Sequence, residues 1–376
     1  MSREQRARGE RGDDEIGVLV ADDSPVARRL LVHILDRDPG LRVASEAADG
    51  AEAVRLAERL RPDVIVMDVM MPLLDGLQAT RKIMETRPTP IVLVSADFDS
   101  RDMTRSFEAL QAGALTILGK PPGPQHPRYA EQAAALTTTV KLMADVKLVR
   151  RRTPGLAPGG APGLAPGLAS GGAPATTGPA PQAARRPVAV AAIAASTGGP
   201  AALAAILAGL PDGAPVPILV VQHIAPGFHQ GLVNWLDRVS PLAVRLARDG
   251  QPLRAGEVLV APADAHLGVT SRGRVALSYD PPIGAHRPSA THLFRSVAQA
   301  YAAGAVAVVL TGMGDDGAAG LRALKGAGGI VLAQDETTCV VYGMPRQAAA
   351  TGVVDQVLPL GQIAGALASA WKTGEP

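Results

Sequence analysis

Short apolar runs alternate with longer amphipathic stretches from residue 16 to about residue 149. In the longer stretches, apolar residues recur at helical spacing, whereas the short runs have the length and bulk of buried strands. Strand and helix therefore alternate five times, which predicts a parallel sheet with helices on both faces. The predicted strands are 16–21, 42–47, 64–67, 91–94 and 114–118, and the predicted helices are 25–36, 50–61, 75–85, 102–112 and 129–149.

The same alternation resumes at about residue 187. Two further runs, 258–261 and 275–278, are separated by turn residues at 271–273 and predict an antiparallel insertion. We therefore expect a second α/β domain, with a doubly wound, mostly parallel sheet and an antiparallel hairpin. Its other predicted strands are 188–194, 218–222, 305–310 and 329–333, and its predicted helices are 200–210, 227–238, 290–303 and 317–327.

A Pro/Gly/Ala-rich stretch lies between the two patterns, with near-repeats of Pro-Gly-Leu-Ala. It lacks the periodicity and the bulk needed for a core, and so it predicts a linker. The first residues are charged and polar, which indicates a disordered tail. We expect four segments: a tail at 1–15, a first domain at 16–149, a linker at 150–186 and a second domain at 187–376.

Composition narrows the class of protein. Aromatic residues make up 3% of the 376 residues, so the cores must be built from Ala, Val, Leu and Ile. A formal net charge of +2 gives no large positive field of the kind that binds nucleic acid without sequence preference. The single cysteine, Cys339, excludes an internal disulfide and is typical of a reducing compartment. Neither a secretory signal nor an apolar run of about 18 residues is present, so we expect a cytoplasmic protein without membrane insertion.

Five charged or hydroxyl side chains lie at the ends of predicted strands of the first domain: Asp22, Asp23, Asp68, Ser95 and Lys120. In a doubly wound sheet these ends converge on one crevice. Crowded carboxylates repel one another, and a hard divalent cation such as Mg²⁺ relieves this repulsion. A lysine and a hydroxyl would complete a phosphate site in which Asp68 could act as nucleophile. Helix capping, a loop start or a surface turn explains each residue singly, but their convergence favours function.

The motifs around these residues resemble the receiver domain of two-component response regulators. They are Val-Leu-Val-Ala-Asp22-Asp23-Ser-Pro, Val-Met-Asp68-Val-Met-Met-Pro and Gly-Lys120-Pro, within about residues 16–125. The resemblance implies a flavodoxin-like fold of five parallel strands and a chemotaxis histidine kinase as phosphodonor. It also implies Asp68 as phosphoacceptor, Asp22, Asp23 and Asp68 as a Mg²⁺ site, and Ser95 and Lys120 as phosphate-sensing groups. Ile117 stands where such domains usually carry an aromatic switch residue.

A second set of residues ends three predicted strands of the second domain. Ser196 precedes Gly-Gly-Pro and a predicted helix, whose free amides could stabilise an oxyanion. His223, which ends another strand, is the best placed of seven histidines to act as its base. Asp315 and Asp316 both qualify by position as the acid that orients the imidazole. A phosphate-binding loop, a helix N-cap and a Gly/Asp turn are the ordinary alternatives, and a serine triad is our leading interpretation.

This second domain resembles the catalytic domain of the chemotaxis protein-glutamate methylesterases, over about residues 187–370. The matching motifs are Ala-Ser196-Thr-Gly-Gly-Pro, Val-Val-Gln-His223-Ile-Ala-Pro, His286-Arg-Pro-Ser and Leu-Thr-Gly-Met313-Gly-Asp-Asp316-Gly. Ala194 replaces a glycine that is common in the family. The resemblance implies Ser196 as nucleophile, His223 as base and Asp316 as orienting acid, with Thr197 and Met313 beside the oxyanion.

The two resemblances together imply a phosphorylation-regulated serine hydrolase of chemosensory adaptation. It would demethylate glutamyl methyl esters on methyl-accepting chemotaxis receptors, release methanol and also deamidate receptor glutamines. Mg²⁺ would serve receiver phosphorylation, and ester hydrolysis would need no cofactor. The unmodified receiver would block the catalytic face, and the long linker predicts weaker basal inhibition than a short one, since it lowers the effective concentration of the receiver.

Two other classes of protein remain as rivals. A nucleotide-binding module would use the Ser196 loop to hold a phosphate and would need neither His223 nor Asp316. A transcriptional regulator would need a compact helical domain with a basic recognition helix. The large α/β pattern after residue 187 argues against the regulator.

Overall fold

The structure is a computed structural model, in which residues 15–95, 100–146 and 187–373 are described. Nearly all of the predicted tail (1–15) and the whole predicted linker (150–186) lie outside these ranges. Within them, no helix is both long enough and apolar enough to cross a bilayer.

The N-terminal domain is one parallel sheet in the order β2-β1-β3-β4-β5. The prediction of five parallel strands is confirmed. The order reverses between β1 and β3, which creates a crevice at their carboxyl ends. The strands are β1 (Ile16–Ala21), β2 (Leu41–Ala47), β3 (Val64–Asp68), β4 (Ile91–Ser95) and β5 (Thr116–Gly119), and the helices are α1 (Pro25–Asp36), α2 (Gly50–Leu60), α3 (Gly76–Thr86), α4 (Ser100–Gln111) and α5 (Tyr129–Ala144).

Local sequence explains where these elements begin. The Ser24 side chain accepts a hydrogen bond from the amide of Ala27, and Pro25 occupies the first turn of α1, where its missing N–H costs nothing. Asp75 and Gln78 form a reciprocal capping box at the start of α3. Strands β3 and β4 are buried along their whole length, as a sheet covered on both faces requires.

The C-terminal domain contains a seven-stranded sheet in the order β14-β13-β12-β6-β7-β9-β8, with every neighbouring pair parallel. The order reverses between β6 and β12. The strands are β6 (Val190–Ala195), β7 (Ile218–Gln222), β8 (Ala243–Leu246), β9 (Glu257–Val260), β12 (Ala305–Val309), β13 (Ile330–Gln334) and β14 (Gln356–Leu358), and the helices are α6 (Gly199–Ala208), α7 (His229–Val239), α8 (Ala290–Tyr301), α9 (Ala318–Gly326), α10 (Met344–Ala350) and α11 (Leu360–Thr373).

The antiparallel hairpin is confirmed, but the prediction paired the wrong run with residues 275–278. It consists of β10 (His266–Val269) and β11 (Val275–Ser278), whereas the run predicted at 258–261 corresponds to β9, which lies parallel between β7 and β8. Two physical reasons account for this. Residues 258–260 are fully buried, as a central parallel strand requires, and the turn at 271–273 joins the two nearest strands. The patterns also missed β8, β14, α10 and α11.

The two domains pack directly against each other. Helix α4 contacts α6 and α7, and one hydrophobic cluster contains residues of both domains. At the contact, Phe107 of α4 stacks on Trp235 of α7, with ring centroids 5.5 Å apart and an interplanar angle of 17°. Both rings are buried. Since the chain has few aromatic residues, this stack is a prominent apolar contact between the domains.

His229, in the first turn of α7, is a buried histidine outside the predicted sites. Its side chain is buried, and neither ring nitrogen has a hydrogen-bond partner among the described residues. Burial lowers the pKa of His229 to about 4. The folded state therefore holds this ring neutral at a pH where the unfolded chain protonates it.

We predict that His229 makes the C-terminal domain less stable as the pH falls. Because its pKa is lower in the folded state, the stability is complete above about pH 6.5 and is lost progressively towards pH 4, by about 2 kcal/mol at pH 5. Urea unfolding at several pH values, followed by the fluorescence of Trp235 and Trp371, measures this loss. His229→Phe should flatten the pH dependence, and the exposed His33→Phe should not; equal slopes in wild type and His229→Phe would contradict the prediction.

Candidate functional sites

Three carboxylates meet at the crevice of the N-terminal sheet. Asp22 and Asp23 follow β1 and Asp68 ends β3, and one oxygen of each lies within 4.8 Å of the others. Asp22 and Asp68 are buried, whereas Asp23 is exposed. The Nζ of Lys120, after β5, lies 2.8 Å from Oδ2 of both Asp22 and Asp68. The structure thus brings four of the five predicted residues into one cluster.

The electrostatics of this cluster favour a further cation. Burial raises the pKa of Asp68 to about 6 and outweighs the lowering effect of Lys120. Burial also disfavours the Lys120 ammonium, but its hydrogen bonds to the two carboxylates outweigh this and raise its pKa. One ammonium balances only one of three carboxylates. The oxygen-only donor set, with Asp23 open to solvent, fits a hard divalent cation such as Mg²⁺.

Ser95 and Ile117 line a cavity that the N-terminal domain shares with the C-terminal domain. Ser95 ends β4 and is buried, and Ile117 in β5 is 4% exposed. Both line a cavity of about 760 Å³, together with Lys120 on the same side and Ser196 and His223 on the opposite side. The cavity therefore lies between the two domains and adjoins both predicted sites.

Ser196 lies at the switch point of the C-terminal sheet, directly after β6. Its amide donates to the carbonyl of Thr311 over 3.0 Å, and its carbonyl accepts from the amide of Gly199 over 2.8 Å. Gly198 has φ +77°, which a residue with a side chain adopts only with strain. A Cβ at Gly312 would lie 2.6 Å from the Cβ of Ser196. Glycines thus allow two chain segments to pack closely around the hydroxyl.

Asp316 is held by four donors. Nε2 of His223 lies 2.9 Å from its Oδ2. At the start of α8, the hydroxyl of Ser289 donates over 2.8 Å, the amide of Ala290 over 2.7 Å and the amide of Thr291 over 3.0 Å. Burial opposes ionisation, but these hydrogen bonds outweigh it and hold the pKa of Asp316 below its usual range. Asp316 is therefore a fixed carboxylate, and of the two acids open on sequence position it is the one bonded to the histidine.

This carboxylate determines the tautomer of His223. An ionised carboxylate only accepts hydrogen bonds, so Nε2 of the neutral ring must carry the proton. Nδ1 then keeps its lone pair, and it is buried with no hydrogen-bond partner among the described residues. His223 thus presents Nδ1 as the atom that can take up a proton. The hydroxyl of Ser196, which lines the same cavity, likewise makes no hydrogen bond within the described ranges.

A second imidazole covers the face of His223. The rings of His223 and His286 are stacked with centroids 4.0 Å apart and an interplanar angle of 3°. Burial, and then the neighbouring His223, lower the pKa of His286 and so favour its neutral form. His286 also lines the cavity. The stack restricts rotation of the His223 ring.

Backbone amides adjoin Ser196 on the two chain segments that meet there, 197–198 and 312–313. The amides of Thr197 and Gly198, at the start of α6, donate no hydrogen bond within the described ranges, and neither does that of Met313. Met313 follows Gly312, which packs on Ser196, and its side chain is 41% exposed. Free amides at a helix start carry partial positive charge and suit a developing oxyanion. Thr197 and Met313, both predicted from sequence, thus lie beside the serine.

The sequence patterns missed Gln222, the last residue of β7. It is 1% exposed, and its Nε2 donates to the carbonyl of Ser196 over 2.8 Å and to that of His223 over 2.9 Å. Two carbonyl acceptors fix which end of the amide is nitrogen. Gln222 therefore ties the backbone of the serine to that of the histidine. The position of Gln222 next to His223 in the sequence was the one signal of a role at the site. The orientation of its side chain depends on the carbonyls of Ser196 and His223, which only the folded loops bring together.

The fold and the two sites define a class: a receiver domain joined to an α/β hydrolytic domain. A receiver-domain family model matches residues 18–128, and the CheB methylesterase family model matches residues 191–367. The chain belongs to the protein-glutamate methylesterase/protein-glutamine glutaminase family, as its similarity to curated relatives shows.

A Myxococcus xanthus protein of that name is 50% identical over 96% of this chain and 98% of its own length. A protein of the same name from Anaeromyxobacter dehalogenans is 51% identical over 94% of this chain and 98% of its own length. The crystal structure of the Thermotoga maritima CheB methylesterase catalytic domain is 39% identical, with a TM-score of 0.48, over 48% of this chain and 98% of that one.

We predict that Gln222→Met lowers kcat by about 10- to 100-fold with little change in KM, because a small displacement of Ser196 from His223 is costly. Methanol release from a methylated receptor measures both constants. Gln222→Glu should be at least as impaired, since a carboxylate would face two carbonyl oxygens. The exposed Gln230→Met serves as control, and an unchanged kcat in Gln222→Met would contradict the positioning role.

Proposed function

We propose that this protein is a phosphorylation-regulated serine hydrolase that removes methyl groups from glutamyl esters of chemotaxis receptors and deamidates receptor glutamines. The observation that carries the proposal is the juxtaposition of Ser196 and His223 in one cavity, with Asp316 hydrogen-bonded behind His223 at 2.9 Å. The names of the curated relatives, which combine the two activities, support the same conclusion.

The first half of the reaction is acyl transfer to the enzyme. Ser196 Oγ attacks the γ-carbonyl carbon of the ester while Nδ1 of His223 takes the hydroxyl proton. Asp316 stabilises the resulting imidazolium through Nε2. The amides of Thr197 and Met313, which donate no hydrogen bond within the described ranges, would stabilise the oxyanion. The proton on Nδ1 then passes to the leaving methoxide, and methanol departs.

The second half returns the enzyme to its initial state. Water attacks the glutamyl-Ser196 ester, His223 takes its proton, and the serine hydroxyl is regenerated as the glutamate leaves. A receptor glutamine follows the same steps, with ammonia in place of methanol. The residues required are the same in both reactions, so one site supports both activities.

Phosphorylation would take place at Asp68. A chemotaxis histidine kinase supplies the phosphoryl group, and Oδ of Asp68 is the nucleophile. Mg²⁺, when bound by Asp22, Asp23 and Asp68, would supply charge neutralisation for the transferred phosphoryl group. Lys120 lies 2.8 Å from Asp68 and would pair with a phosphoryl oxygen. Ser95, which ends the neighbouring strand β4, would donate to another.

The packing of the domains supports a regulatory role for this phosphorylation. The cavity that contains Ser196 and His223 is lined on its receiver side by residues of β5, of the loop before α5 and of α5 itself. A receptor helix reaching Ser196 would need that side. Ile117 lies there, in the position where the family of receivers usually carries an aromatic switch residue, so apolar packing rather than a ring rotation would couple Asp68 to the interface.

The direct test is methanol release from a methylated receptor by wild type and Ser196→Ala. We predict that the substitution lowers the rate by roughly 10⁴-fold or more, because the nucleophile is lost while binding is retained. Ser271→Ala, in an exposed turn, is the matched control and should keep the wild-type rate.

The same experiment separates the hydrolase from a nucleotide-binding module. A binding module needs neither His223 nor Asp316, and its Ser196→Ala form would release as much methanol as wild type. Wild-type rates in Ser196→Ala would therefore refute the proposed serine mechanism.

A further inference from the structure

The cavity at Ser196 has two walls of different origin. One wall belongs to the C-terminal domain and contains Ser196, His223 and His286. The other belongs to the receiver and contains Ile117, at the end of the sheet, and Arg128, just before α5. The space between them, about 760 Å³, is partly open to solvent. The receiver thus lines the opposite side of the cavity from the catalytic groups and does not fill the space between them.

The catalytic groups themselves are free of the receiver. Among the described residues, no receiver side chain hydrogen-bonds to Ser196 or His223. The hydrogen bond from His223 to Asp316 is formed, and Nδ1 of His223 has no partner within the described ranges. The closed arrangement therefore restricts access to an assembled site without dismantling it.

Size decides what can enter. One turn of an α-helix, about 10 Å wide and 5.4 Å long, fills about 400 Å³, so this cavity holds fewer than two turns. A receptor helix that continues in both directions from its methylated residue extends beyond this space, so we expect it to need the receiver wall to move. Cavities of about 300–1,000 Å³ are, in contrast, typical of sites that hold small molecules.

We propose that the receiver-closed protein hydrolyses small carboxylic esters while it excludes the receptor. The inference rests on the proposed serine mechanism and specifies what the receiver blocks. With p-nitrophenyl acetate, Ser196 Oγ attacks the acetyl carbon, its proton passes to His223, and p-nitrophenolate leaves. Water then cleaves acetyl-Ser196, giving acetate and the free serine. Inhibition by the receiver is thus selective for substrate size.

The test compares two substrates on the unphosphorylated full chain and on its Phe107→Ala variant. Loss of the Phe107–Trp235 stack weakens the closed state, so receptor demethylation should rise by about tenfold or more. Hydrolysis of p-nitrophenyl acetate should change by less than about twofold, because the small ester already reaches Ser196. Ser196→Ala gives the background rate for both substrates.

The outcomes separate cleanly. Equal gains for both substrates, or wild-type hydrolysis of p-nitrophenyl acetate at the Ser196→Ala rate, would overturn the inference. Serine-dependent hydrolysis of the small ester without methanol release from receptor, in either form, would support it and contradict the proposed receptor activity alone.

A second measurement needs no interface variant, in case Phe107→Ala fails to fold. Phenylmethylsulfonyl fluoride should sulfonylate Ser196 in the unphosphorylated wild-type chain, with loss of fluoride, and mass spectrometry should locate the adduct on that residue. An unmodified Ser196 would overturn the inference.

Discussion

The hydrogen bond between Nε2 of His223 and Asp316 sets the chemistry of the C-terminal domain. Asp316 receives three further hydrogen bonds, from Ser289, Ala290 and Thr291 at the start of α8, so its charge and its orientation are both fixed. A carboxylate buried without such donors would be protonated or displaced. Because it is ionised here, the proton of the imidazole is directed to Nε2, and Nδ1 becomes the base. Ser196 lines the same cavity as His223, His286 stacks on the His223 ring, and the amide of Gln222 donates to the His223 carbonyl.

Both sites of the protein lie where a doubly wound sheet reverses its strand order. In the receiver, β1 and β3 bring Asp22, Asp23 and Asp68 together, and in the C-terminal domain β6 and β12 bring Ser196 and Asp316 together. The packing of the domains then places one cavity against both sites, with Lys120 on one side and Ser196 on the other. A change in how α4 packs on α6 and α7 would therefore alter the cavity between the two sites.

Much of this arrangement could be predicted from sequence, because it depends on local patterns. The strands that carry Asp68, Ser196 and His223 follow from apolar runs, and each reactive residue stands at a strand end. Strand position alone left Asp315 and Asp316 open, and the family resemblance selected Asp316. In the structure, the bonds of Asp316 to His223 and to the start of α8 distinguish the two. The run at 258–261 was paired wrongly because a short apolar run has the same pattern in a parallel strand and in a hairpin. The roles of Gln222 and Phe107 depend on segments far apart in the chain, so no local pattern could reveal them.

The position of the proton on His223 tests this account most directly. Nitrogen-15 NMR of the imidazole, with the resonances assigned by loss in His223→Gln, reports which ring nitrogen is protonated when the ring is neutral. We predict a proton on Nε2 and an unprotonated Nδ1, and in Asp316→Asn the preference for this tautomer should weaken. A wild-type ring protonated on Nδ1 would contradict this assignment, because the nitrogen not bonded to Asp316 would then have no lone pair to accept the proton of Ser196.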